Sequence, residues 1–223
     1  MNKYFIYLLF ALFSLYIVLS FLLPIPYIPL LGEKARIIFY HVPTAWLAVI
    51  AFFISMMNSI TYLIKRNIIN DIKAFSSAEL GFLFCILATI TGSIWAKFSW
   101  GSFWNWDPRE TSIIFLLLIY GAYFALRSAI DNYEQKARLA SVYSVIAFVT
   151  VPFFIFVLPR IVESLHPDPI INLRGELNID SNMMALFILS LVSFTMLFIW
   201  LYSLKIRIEK LFFENYLKIN EYN

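Results

Sequence analysis

Residues 78–96 read AELGFLFCILATITGSIWA, and from Trp95 the chain runs on as WAKFSWGSFWNWDPRETS to Ser112. The first stretch carries a single charge, Glu79, and as a helix it rises about 28 Å, close to the ~30 Å of bilayer hydrocarbon. It is therefore a membrane span, and the second stretch is the loop in which it ends. Working outward, further apolar stretches of spanning length cover residues 4–23, 43–64, 112–130, 139–158 and 183–204. The reading is an all-α integral membrane protein, with residues 1–223 forming one six-span domain. A mean hydropathy of +0.79 and 61% hydrophobic residues exceed what a soluble core needs.

The fourth span reaches full length only by running through Arg127 and Ser128 toward Ile130, the arginine snorkelling to the interface. Pro24, Pro26 and Pro29 follow the first span in place of a small-residue cleavage site, so that span reads as a retained anchor rather than a signal peptide. Glu79 and Cys85, with no partner evident from sequence, read as structural. The stretch 205–223 alternates charge with Ile, Leu and Phe, which fits a short amphipathic surface helix or a polar tail.

Basic residues divide unequally between the two sides. Lys3, Lys65, Arg66, Lys73, Arg127, Lys136, Arg138, Lys205, Arg207, Lys210 and Lys218 fall on one; Lys34, Arg36, Lys97, Arg109, Arg160 and Arg174 fall on the other. The positive-inside rule makes the first side, with both termini, cytoplasmic. Loops 24–42, 97–111 and 159–182 then face outward, as expected in a bacterial inner membrane or an organelle's inner membrane. A net charge of +3 is too small to suggest nucleic acid, so partners are sought in or beside the membrane, lipid included. The single cysteine excludes an intrachain disulfide, a CxxC redox pair and CxxCH haem attachment. No GxxxxGK[ST] loop occurs, so ATP hydrolysis would come from another subunit, and the chain reads as a non-enzyme.

The outer loops hold the unusual residues. Trp95, Trp100, Trp104 and Trp106 crowd one loop. An interfacial aromatic belt would account for indoles alone. Asp107 and Arg109 stand among them, however, and Gly101 and Pro108 bend the backbone, which suits a platform for a flat apolar macrocycle whose carboxylates meet a guanidinium. Arg36, Arg160 and Arg174 could serve the same carboxylates or pair with Glu33, Glu163, Asp168, Glu176 or Asp180. The only two histidines, His41 and His166, lie on this same side. His41 is expected at the mouth of the second span with Pro43 in its first turn. Either histidine could be an ordinary hydrogen-bonded residue. Beside such a platform, the two together suit axial ligation of haem iron from both faces, leaving no open position for oxygen chemistry.

In register, Trp100, Gly101, Trp104, Trp106, Asp107, Arg109, Thr111 and Ser112 resemble the WWD signature of the haem-handling cytochrome c assembly family. In its six-span branch a histidine followed by Val-Pro lies in the first outer loop and another in the third, as His41 and His166 do. The resemblance implies non-covalent, transient haem b with His41 and His166 as axial ligands. It also implies a tryptophan loop that contacts the haem and docks a membrane-anchored haem chaperone, beside an ABC transporter with separate ATPase and permease subunits. Where many relatives carry a Trp-Trp pair before the second histidine, this chain has residues 160–165.

Rival readings are a cytochrome c haem lyase or synthetase component that attaches the haem, a permease, and a membrane b-type cytochrome. The almost wholly apolar spans weigh against a permease. Two histidines on one side give no electron path across the bilayer.

Overall fold

The computed structural model describes residues 2–24, 32–166 and 180–221. Its helices are α1 (Lys3–Leu22), a 3-10 turn (Gly32–Ile37) leading into α2 (Ile38–Lys65), α3 (Ile68–Trp100), α4 (Pro108–Ser128), α5 (Tyr133–Pro152) continuing through a π-helical turn (Phe153–Val157) into the short α6 (Leu158–Ile161), and α7 (Ser181–Glu221). Six of these helical segments are long and apolar enough to cross a membrane. Pro26, Pro29, Asp168, Arg174 and Glu176 lie outside the described residues.

A seam of small residues holds the bundle together. Ala48, Ala51, Ser55 and Ser59 of α2 are buried, as are Ala74, Ala78, Gly81, Cys85 and Ala88 of α3 and Ala137, Ala140, Ser144 and Ala147 of α5. Spaced three or four apart, they let backbones approach, which is how helices gain contact energy when lipid offers no hydrophobic drive. The α2–α3 pair is the most extensive interface. Polar atoms inside the bundle bond across helices: Ser77 Oγ of α3 donates to the Ala51 carbonyl of α2 at 2.7 Å, and the Ser55 hydroxyl of α2 meets that of Ser144 of α5 at 3.1 Å. Phe52 stacks on Tyr120 with ring centroids 3.5 Å apart.

Several boundaries differ from the sequence expectation, each for a local reason. The second helix starts at Ile38, so His41 and Pro43 lie inside it rather than at its mouth. Pro43 deprives the Phe39 carbonyl of its i+4 donor, and the Tyr16 hydroxyl donates to that carbonyl instead at 2.8 Å. The third helix runs past residue 96 to Trp100, so Trp95 and Trp100 are helical, and Gly101 ends it with φ +87°. The fourth begins at Pro108 with Asp107 as its N-cap, making about 31 Å without residues 129–130. The fifth begins at Tyr133, capped by Asn132, and Pro152 closes its regular part where the π turn starts. The stretch after residue 204 is neither a separate surface helix nor a tail: it continues α7 without a break.

Two further expectations are corrected at the end holding the termini. Arg127 does not snorkel; it is buried and binds Asp71 through two parallel bonds, Nη1 to Oδ1 at 2.7 Å and Nη2 to Oδ2 at 3.0 Å. Glu79 does have a partner, since Lys205 Nζ lies 2.9 Å from its Oε2 and 2.9 Å from Glu209 Oε1. At the opposite end Arg36 caps α1, donating to the Ser20 and Leu23 carbonyls at 2.7 and 3.0 Å while pairing with Glu33.

Asp71→Ala strands the buried guanidinium and should cost about 3–5 kcal/mol of stability, whereas Asp71→Leu combined with Arg127→Leu should restore most of it. Thermal unfolding in detergent of the single and double variants measures this, and an equal loss in both would show that the pair is not the source.

Candidate functional site

The end of the bundle opposite the termini gathers the tryptophan loop and both histidines. Asp107 organises it. The residue is only 3% exposed and its carboxylate accepts four hydrogen bonds. Oδ1 takes the Arg109 backbone N–H at 2.9 Å and lies 3.0 Å from His166 Nδ1. Oδ2 takes the Leu165 N–H at 2.7 Å and the Ser164 hydroxyl at 2.9 Å. One side chain thus caps α4 and pins the segment that follows α6, although more than fifty residues separate the two in sequence.

Glu110, which sequence reasoning passed over, braces the loop from the other side. Buried in the first turn of α4, it accepts the Asn105 N–H at 2.7 Å. The Asp-x-x-Glu spacing of residues 107–110 is a capping-box pattern and carried the signal.

His166 packs its ring against Trp95 and Trp100, with centroids 5.5 and 4.9 Å away. Burial pulls its pKa down to about 4, and the charge of Arg109 acts in the same direction, while the Asp107 carboxylate only partly opposes them. The ring is therefore neutral at neutral pH. Its Nδ1–H points to Asp107, which leaves the lone pair on Nε2. Burial works to raise the Asp107 pKa, but the Arg109 and Leu165 N–H groups, the Ser164 hydroxyl and His166 outweigh it and hold the carboxyl below its ordinary range.

His41 is held the same way by a different group. Its Nδ1 lies 3.1 Å from Thr91 Oγ1, whose proton goes to the Leu87 carbonyl at 2.8 Å. The hydroxyl must then accept, so Nδ1 carries the hydrogen and Nε2 keeps its lone pair. Gly92 makes room: a Cβ there would lie 2.9 Å from His41 Cε1. Thr91 and Gly92 were missed because neither carries chemistry of its own. Only their place on the α3 face beneath His41 gives them a role.

The four tryptophans fall into two pairs. Trp95 and Trp100 stand against His166, while Trp104 and Trp106 meet edge to face at 5.9 Å, with no ring contact to either histidine among the described residues. Trp106 is 78% exposed and has φ +59°, a costly backbone for a bulky residue, which the buried neighbour Asp107 fixes in place. Gly101 supplies the left-handed turn that starts the loop, and Lys34 Nζ ties the 3-10 turn to the Phe98 carbonyl at 2.5 Å. Arg109, half-buried in the first turn of α4, lies within electrostatic reach of both imidazoles.

Below pH 6.5 the unfolded chain takes up the His166 proton, whereas the folded protein resists until about pH 4. The stability this contributes is complete above 6.5 and is lost as pH falls toward 4, with Asp107 adding a loss of the same sign lower down. The melting temperature in detergent should decline over that window, and His166→Gln should flatten the decline; an unchanged slope would contradict the assignment.

Comparison with known proteins gives a consistent set of relatives. The sequence matches the family described as heme exporter protein C over residues 2–217. The heme exporter protein C of Bradyrhizobium diazoefficiens is 31% identical over 178 residues, covering 80% of this chain and 67% of that protein. Its counterpart of the same name in Rhodobacter capsulatus is 32% identical over 178 residues, covering 80% and 74%. A Marchantia polymorpha protein named a putative cytochrome c biosynthesis ccmC-like mitochondrial protein is 32% identical over 125 residues, covering 56% of this chain and 52% of its own length.

Proposed function

This chain belongs to the heme exporter protein C family, and we propose that it serves haem delivery in cytochrome c biogenesis by holding haem between His41 and His166 on the outer face of the membrane. It is a multi-pass membrane protein and a component of a haem-delivery system. The observation that carries the reading is the matched state of the two histidines. Each is held through Nδ1, one by Asp107 at 3.0 Å and one by Thr91 at 3.1 Å, so each offers Nε2. That is the donor set axial haem ligation needs, with the outer ligands fixing ring orientation.

The haem, in this reading b-type and non-covalently held, supplies an iron that takes two axial nitrogens and a flat apolar ring edged with carboxylates. The chain's own residues do the rest. Trp95 and Trp100 wall the His166 side, Gly92 lets His41 seat against α3, and Arg109 provides the nearby cation for a propionate. Exposed Trp106, with Trp104 and Gly101 behind it, forms the rim from which a membrane-anchored haem chaperone would take the cargo. An ABC transporter with separate ATPase and permease subunits would supply the energy, and the bacterial inner membrane is the setting the charge bias fits. A haem lyase would have to hold apocytochrome as well, and nothing in the described residues favours that alternative.

The test is the visible spectrum of the full chain purified in mild detergent without the chaperone. A sharp low-spin spectrum is expected, turning high-spin or vanishing in His41→Ala and in His166→Ala. Gly92→Ala, which pushes the His41 ring off α3, should reduce haem retention while leaving the fold intact by circular dichroism. A haem-free wild type, or spectra indifferent to both histidine substitutions, would sink the reading.

A further inference from the structure

At the end carrying the termini, a cavity of about 390 Å³ lies between the last turn of α4, the start of α5, the first turns of α3 and the extension of α7. That volume falls within the range of small-molecule sites. Arg127, near the end of the fourth span, places it at headgroup depth. Its walls are aromatic: Phe75, Phe212, Phe213 and Tyr216 face it, and the Tyr133 ring packs at a tilt against Phe213 and Tyr216 with centroids 4.8 and 6.0 Å away.

The charges lining the cavity are of both signs. Arg127 is neutralised by Asp71, whose bidentate pairing uses two of five guanidinium hydrogens, and the Tyr123 hydroxyl engages the same group, which still leaves hydrogens to spare. Glu209 shares Lys205 with Glu79, which leaves that triad net acidic. Lys136 and Asp131 also line the cavity, and neither has an ion-pair partner among the described residues. A purely anionic ligand would meet one available cation against two acidic groups. A ligand carrying both a phosphate and an ammonium finds a partner for each.

We propose that this cavity binds a phospholipid with an aminophosphate headgroup, phosphatidylethanolamine in class. Its phosphate lies toward Lys136 and the spare guanidinium hydrogens of Arg127, its ammonium toward Asp131 and Glu209, and its upper acyl methylenes against the aromatic wall. The site stands on the face opposite the histidines and does not depend on the haem reading.

The full chain is reconstituted in nanodiscs of equal phosphatidylethanolamine and phosphatidylglycerol with matched acyl chains, re-extracted in detergent, and its retained lipid counted by native mass spectrometry. One retained lipid is expected, with the ethanolamine form favoured about five-fold, equivalent to about 1 kcal/mol. Asp131→Lys, an exposed turn position that leaves packing untouched, should bring the ratio to about one or below, and Lys136→Glu should lower total retention of both lipids. No retained lipid, equal retention of the two lipids by the wild type, retention of haem in place of lipid, or variants that keep the wild-type ratio would each overturn the proposal.

Discussion

A carboxylate on a residue only 3% exposed is tolerable only if donors satisfy it, and Asp107 draws its four donors from two distant parts of the chain. This requirement gives the outer end of the bundle its shape. The α4 N-terminus and the segment after α6 cannot separate without stranding the charge. His166 is therefore delivered to the tryptophans of α3 rather than left on a wandering loop. Asparagine could not substitute, because each Asp107 oxygen accepts from two donors and an amide nitrogen would face two of them. The π turn at residues 153–157 belongs to the same arrangement, since the chain's path through Pro152 sets where Ser164 and Leu165 arrive.

The second histidine depends on the bundle interior instead. His41 sits in a continuous helix whose proline defect is repaired by Tyr16, and its ring lies in the space that the missing Gly92 side chain leaves. Helix α3 serves both histidines, offering Thr91 and Gly92 to one and, a turn and more along, Trp95 and Trp100 to the other. Its rigidity comes from the small-residue seam with α2. The packing that holds the spans together in lipid therefore also fixes the wall shared by both imidazoles.

Much of this was legible in the chain itself. Six apolar stretches and the clustering of two histidines with the WWD loop pointed to the architecture and the family. What sequence could not supply was partnership across helices. Arg127 read as a snorkelling residue because nothing local shows that Asp71, 56 positions earlier, lies opposite it; Glu79 and Lys205 are further apart still. Pro43 read as a helix start because Tyr16, the donor that makes an interior proline affordable, belongs to another span. Asp107 read as part of a flat platform, although its place just before Pro108 and three residues ahead of Glu110 already marked an N-cap.

The two imidazoles are held alike but not equally. A carboxylate on Nδ1 draws the N–H hydrogen more strongly than a hydroxyl and leaves the opposite nitrogen the better electron donor. In the proposed role as haem ligands, His166, backed by Asp107, would be the stronger of the two and His41, backed by Thr91, the weaker. Their backbones rank the other way. His41 is fixed by the hydrogen-bond ladder of a long helix, whereas His166 lies in irregular chain positioned by hydrogen bonds to the Asp107 and Ser164 side chains. As a proposed haem site, a firmly placed weak ligand and a strong ligand on less regular backbone would hold a haem without trapping it. On the proposed reading, loss of the Asp107 contacts would weaken ligation and free the backbone together, so release would be governed from that single carboxylate.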